Sequence, residues 1–104
     1  MTFEEAQARL EEYRQLIDDV DRRIVALLNE RITVVEEIGR VKREAHIPVY
    51  EPKREDLVFA NITTANHGPL TTQAVRGIFE RIIDASRSIQ RLRMMQKPPE
   101  EPKC

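Results

Sequence analysis

The chain has 104 residues, 40% of them hydrophobic and 34% charged. Lys and Arg number 17 against 18 Asp and Glu, so the net charge is −1 and the basic footprint of a nucleic-acid-binding protein is absent. One Cys, at position 104, excludes an internal disulfide framework and a Cys-based zinc site, and no run reaches the roughly 20 apolar residues of a membrane span.

The start Met1-Thr2-Phe3-Glu4-Glu5 has neither the basic residues nor the apolar stretch of a signal peptide, so a cytoplasmic domain is expected. Three Gly, 5% aromatics and no Trp leave little material for hairpins or a phosphate-cradling loop. This composition favours helix.

From Phe3 to about Ala45 no Pro occurs, and the only Gly is Gly39. Leu10, Tyr13, Ile17, Val20, Ile24, Leu27, Arg31, Val34, Ile38, Val41 and Ala45 follow one another at alternating steps of three and four. That is a heptad seam of about five repeats, and it predicts one helix of about 40 residues, on the order of 60 Å long. A thin seam on so long a helix gains from pairing with another chain. Ile47-Pro48-Val49-Tyr50-Glu51-Pro52 breaks the helix, and Pro52 suits the first turn of a second one, with Glu51 near its N-cap. The second helix runs from about Pro52 to Ala65. Asn66-His67-Gly68-Pro69 stops it. A third helix starts at Thr71 or Thr72, both plausible caps, and runs to about Met95 with Val75, Ile78, Phe79, Ile82, Ile83, Ile89 and Leu92 as its apolar stripe. The expected architecture is all-α, three helices in one domain over 1–96, followed by a Pro-rich, disordered tail over 97–104.

Polar residues interrupt the apolar faces at a few places. Arg31 stands in the seam. It either sets register and pairs with an acid there, or holds a carboxylate through its two-pronged guanidinium. Lys42, 11 residues on, projects from nearly the same face, and the two long side chains could bracket a small dianion although their backbones stand roughly 16 Å apart. Arg14 lies about 25 Å from Arg31 along the helix and on a different face, so it can join Arg31 only from a partner chain in an antiparallel pair; otherwise it is a surface residue. Glu51, Arg54, Glu55, Val58 and Ile62 share a side of the second helix, as a solvated charge run or as the polar edge of a pocket. Ser86 and Gln90 continue the face of Phe79 and Ile83, where they need a partner on another helix or a ligand. His46 and His67 lack the neighbours of a metal site, and no arrangement of nucleophile and base points to covalent catalysis.

The ordered set Leu10-x3-Arg14-x2-Ile17-x3-Asp21-x2-Ile24-x2-Leu27-Leu28-x2-Arg31, Ile38-Gly39-x2-Lys42, Pro48-Val49-Tyr50-x3-Arg54-Glu55 and Ile78-Phe79-x2-Ile82-Ile83-x2-Ser86-x3-Gln90 closely resembles the all-helical (AroQ) class of chorismate mutases. Each motif is weak alone; their order and spacing are specific, and together they cover about residues 10–91. The resemblance implies three helices intertwined with a second copy, and the Claisen rearrangement of chorismate to prephenate in the synthesis of Phe and Tyr. No cofactor, metal or covalent intermediate takes part. By the same resemblance, Arg31, and Arg14 from the other subunit, clamp the two carboxylates. Lys42 touches a carboxylate and the ether oxygen, Gln90 donates to that oxygen from the opposite side, and Glu55 accepts from the ring hydroxyl. Ser86 and Arg54 help hold a carboxylate, and Val35, Ile38, Val58 and Ile83 form apolar walls. Glu51 stands where some members carry Asp, and its longer side chain alters the hydroxyl pocket. An amide at Gln90 needs no protonation to donate, so activity at neutral pH is expected. Three other readings stay open: an isochorismate–pyruvate lyase, a chorismate- or prephenate-binding regulatory domain associated with the enzyme that opens the shikimate pathway, and a dimerising helical module without a ligand.

Overall fold

The computed structural model of the protein describes residues 1–95. The 97–104 tail and Cys104 lie outside them. Three helices make up the described chain: α1 (Phe3–Ala45), α2 (Pro52–Ala65) and α3 (Thr72–Met95). Their bounds agree with those expected from the Pro and Gly punctuation and from the apolar periodicity.

Each helix end has an identifiable cause. At the start of α1 the Thr2 hydroxyl accepts from the Glu5 amide at 3.1 Å, in the spacing of a capping box. Glu4 and Glu5 in the first turn and Lys42 and Arg43 in the last complement the helix dipole. The C-terminus of α1 closes by a double turn: the Ile47 amide donates to the Lys42 carbonyl at 2.8 Å and the His46 amide to the Arg43 carbonyl at 3.4 Å. This places His46 in the left-handed region at φ 57, a position glycine more often fills. Pro52 occupies the first turn of α2 after Glu51 at the N-cap. The Glu51 side chain makes no capping bond, because its carboxylate is committed elsewhere, as described below. After α2 the Asn66 side chain organises the turn, accepting from the Gly68 amide at 3.1 Å and donating to the Leu70 carbonyl at 2.8 Å. Gly68 takes φ 80 there. The Thr71 hydroxyl then caps α3 by accepting from the Ala74 amide at 3.0 Å.

The described chain divides into two compact units. The first, Met1–Thr33, is the N-terminal part of α1, and none of its residues is buried. Its seam residues Leu10, Tyr13, Ile17, Val20, Ile24 and Leu27 are all at least 42% exposed, an apolar stripe beside which Leu16, Val25 and Leu28 are exposed as well. The second unit, from Val34 onward, holds the last turns of α1 together with α2 and α3. In it α2 and α3 pack on each other. Val35 of α1 and Val75 and Ile83 of α3 are its buried hydrophobic residues, with Val58, Phe59, Ile62, Phe79 and Ile82 partly buried around them. Gly39 lets α1 come close to α3: a Cβ added there would meet the Gln90 Cα and the Arg93 Cβ at 3.5 Å, ordinary contact with no room beyond a methyl. An ion pair between Glu36 and Arg93 joins the same two helices one turn further out.

Candidate functional site

Three of the seven buried residues described in the second unit are polar: Lys42 at 7% exposure, Ser86 at 5% and Gln90 at 8%. A small core does not spend its interior on polar groups unless each is bonded. Lys42, on the last turn of α1, is bonded at every donor. Its Nζ donates to the Val49 carbonyl at 2.8 Å and to Gln90 Oε1 at 3.1 Å, and it pairs with Glu51 Oε1 at 2.7 Å. An ammonium has three N–H groups, so any further acceptor must replace one of these. Glu51 is the partner most open to exchange, since its side chain is 46% exposed while Lys42's is 8% exposed.

The local fold dictates this arrangement. The close approach at Gly39 brings Gln90 of α3 against α1, one turn before Lys42. The left-handed turn at His46 folds the connection back, so that Val49 and Glu51 meet the Lys42 side chain. With its Oε1 on Lys42, the Gln90 amide points its N–H groups away from the ammonium, ready to donate to an oxygen on the far side. Lys42 and Glu51 line a mainly apolar hollow of about 370 Å³ with Val34, Ile38, Val41 and Ile47.

Glu55, on the first turn of α2, lies on the inner side of that helix and pairs with Arg87 of α3. Arg87 Nε stands 3.2 Å from Oε2 and Nη2 donates to Oε1 at 3.3 Å. Arg54, its neighbour in sequence, is exposed, because consecutive residues on a helix face different directions. Ser86 donates its hydroxyl to the Ile82 carbonyl at 2.8 Å. Of the apolar residues expected as walls, Val35 and Ile83 are buried, Val58 is half-buried, and Ile38 is exposed along the hollow. Arg14 and Arg31 belong to the first unit, where Arg14 is exposed and Arg31 half-buried. The structure thus brings together Lys42, Glu51 and Gln90 in one cluster and sets Glu55 in a pair with a residue that sequence reasoning did not single out. Arg87 did carry a signal. It lies four residues after Ile83 and eight after Phe79, so it interrupts the apolar stripe of α3 as Arg31 interrupts the seam of α1. Among the described residues no three His, Cys, Asp or Glu side chains converge as a metal site requires. No described helix is long and apolar enough to cross a membrane.

Residues 13–91 match the family described as chorismate mutase type II. This chain belongs to the type II chorismate mutase family. Over 86 residues it is 35% identical to a bifunctional chorismate mutase/prephenate dehydratase of Aquifex aeolicus, an alignment covering 79% of this chain and 24% of that protein. The chain therefore spans about a quarter of the length of that curated relative. Among solved structures, a chorismate mutase of Thermus thermophilus superposes with a TM-score of 0.78 at 38% identity, covering 80% of this chain and 94% of that one. A chorismate mutase of Helicobacter pylori in complex with prephenate superposes with a TM-score of 0.79 at 25% identity, over 88% of this chain and 99% of the other. All-helical chorismate mutases are therefore what this three-helix chain resembles in fold as well as in sequence.

Proposed function

We propose that the chain catalyses the rearrangement of chorismate to prephenate, a step of aromatic amino acid synthesis. The observation that carries this reading is the buried ammonium of Lys42, held against Gln90 beside an apolar hollow in a member of this family. The reaction is unimolecular and needs no group from outside. Its transition state is compact. The ether bond breaks ahead of carbon–carbon bond formation, so negative charge builds on the enolate oxygen. Catalysis then requires two things: locking a flexible dianion in the reactive geometry, and placing fixed positive charge and hydrogen-bond donors at that oxygen.

In this reading an oxygen of the substrate takes the place of Glu51 on Lys42 Nζ, and the Gln90 amide donates to the same region from the opposite side. Both donors are already fixed by their neighbours, so no reorganisation is needed at the moment of reaction. Glu55 accepts the ring hydroxyl, and Ser86 and Arg54 support a carboxylate, Arg54 through water as its exposure suits. At the site itself Lys42 is paired with Glu51 and Glu55 with Arg87. A dianion therefore calls for further cations. Arg31, and Arg14 from a second copy of the chain, supply them. The exposed seam Leu10, Tyr13, Ile17, Val20, Ile24 and Leu27 supports a homodimer, because an apolar stripe of this length is covered in a stable helix. The bifunctional Aquifex aeolicus relative supports a further proposal, that the chain works in association with another enzyme of the same route.

The test is chorismate consumption by the purified chain with products identified, beside an Arg31→Ala variant. Prephenate from the parent, with turnover lowered by orders of magnitude in the variant, is the expected result. Pyruvate released from isochorismate in a parallel reaction while chorismate is left unconverted, or chorismate bound but unchanged, overturns the assignment in favour of a lyase or a regulatory domain.

A further inference from the structure

The Arg87 guanidinium touches three separate segments. It pairs with Glu55 on the first turn of α2, through one hydrogen bond from Nη2 to Oε1 and a 3.2 Å approach of Nε to Oε2. It lies over the ring of Tyr50, in the connection between α1 and α2, 5.4 Å from the ring centre. On its own helix, Nη2 also donates to Asp84 Oδ1 at 3.2 Å, which steers the side chain along α3. Tyr50 immediately precedes Glu51, whose carboxylate sits on Lys42. One side chain on α3 therefore holds one acid of the site directly and braces the segment that carries the other.

We propose that Arg87 is a positioning residue for the rearrangement, fixing the Glu55 carboxylate where a ring hydroxyl of the substrate will meet it. The inference rests on the chorismate mutase reading above. Three features assign this role to an arginine. A planar fork can pair with a carboxylate at two points and lie on an aromatic face at once, which an ammonium cannot. The pair is partly sheltered, with side-chain exposures of 29% for Arg87 and 20% for Glu55, so it is less screened than a surface ion pair. Finally, Arg87 Nε is buried and makes no aligned hydrogen bond, although Oε2 stands 3.2 Å away. The carboxylate can turn toward a hydroxyl without breaking a bond at Nε, while Nη2 keeps its hold on Oε1. Glu55 is thus tethered but not saturated. A carboxylate retains lone pairs after two such contacts, so a ligand hydroxyl can be accepted in addition. Phe59 and Ile83 flank the pair in a cleft of about 300 Å³ and limit where the carboxylate can swing.

The experiment is a double-mutant cycle on chorismate turnover: the parent, Arg87→Leu, Glu55→Gln and the double variant, with Arg87→Lys as a charge-preserving control. Thermal melts confirm that each is folded. Arg87→Leu is expected to lower kcat/KM about 10- to 100-fold through misplacement of Glu55. In the Glu55→Gln background the same change is expected to cost no more than about twofold, because the group it acts through is already gone. Arg87→Lys falls between parent and Arg87→Leu. An equal loss in both backgrounds means that Arg87 serves the fold alone and overturns the proposal, as does full activity of Arg87→Leu. A parent that leaves chorismate unconverted overturns the underlying reading, and the role of Arg87 with it. A parent that is active with an uncoupled Arg87 overturns only this inference.

Discussion

Lys42→Met abolishes most of the turnover and leaves the fold in place. The expected loss is about a thousandfold in kcat, the scale seen when one preorganised donor is removed from a developing negative charge. Methionine nearly matches the length of the lysine stem and removes only the ammonium. The buried cation is held by Glu51, the Val49 carbonyl and Gln90 Oε1, and its burial carries a desolvation cost that those partners offset. Removing one member of a fully buried ion pair is costly because the other charge is left buried and unpaired. Here Glu51 is exposed enough to return to water, while Gln90 Oε1 and the Val49 carbonyl each lose one bond, at about 1–3 kcal/mol for each acceptor left buried without a partner. The melting transition should therefore fall by several degrees, with the chain still folded at the assay temperature, while kcat collapses. A purely structural lysine would give the reverse pattern, with stability lost and the specific activity of the folded fraction kept. Steady-state kinetics beside a thermal melt on one preparation distinguishes the two.

Mixing two inactive variants restores activity. In the proposed homodimer Arg14 serves the site of the other copy, whereas Lys42 serves the site of its own chain. Arg14→Ala and Lys42→Met homodimers each lack one group at both sites. A heterodimer of the two has one site with the Lys42 of the first chain and the Arg14 of the second, both intact, and one site lacking both. Refolding the variants together at equal amounts gives half heterodimer under random symmetric pairing, hence about a quarter of the parent's specific activity. If Arg14 acted in its own chain, no combination would have a complete site and the mixture would stay inactive. The measurement is turnover after joint denaturation and refolding, compared with the variants refolded separately.

The sequence carried the fold in its punctuation. Pro48 and Pro52 end one helix and begin the next, Asn66 to Pro69 separates the second from the third, and the three-and-four spacing of apolar residues fixes each helix between those breaks. Lys42, Ser86 and Gln90 stood out because each places a polar group on an apolar face, and all three are buried. The partners of Lys42 were harder to read. The Val49 carbonyl reaches it only because His46 takes a left-handed conformation, and a histidine does not announce such a turn as a glycine does. The Glu55–Arg87 pair depends on the packing of α2 against α3, 32 residues apart in sequence, and on which turn of each helix meets the other. Periodicity along a single helix holds no such information. Arg54 illustrates the same limit from the other side: it adjoins Glu55 in sequence, yet the helix turns it outward.

The most direct test is a crystal structure of the chain with prephenate bound. The expected result is an oxygen of the ligand in place of Glu51 on Lys42 Nζ, at about 2.7–3.2 Å. With it come the Gln90 amide donating to the ligand from the other side, the ring hydroxyl on Glu55, and Arg14 of a second copy on a carboxylate. Prephenate bound away from Lys42, with the Lys42–Glu51 pair intact, would contradict the assignment of this site.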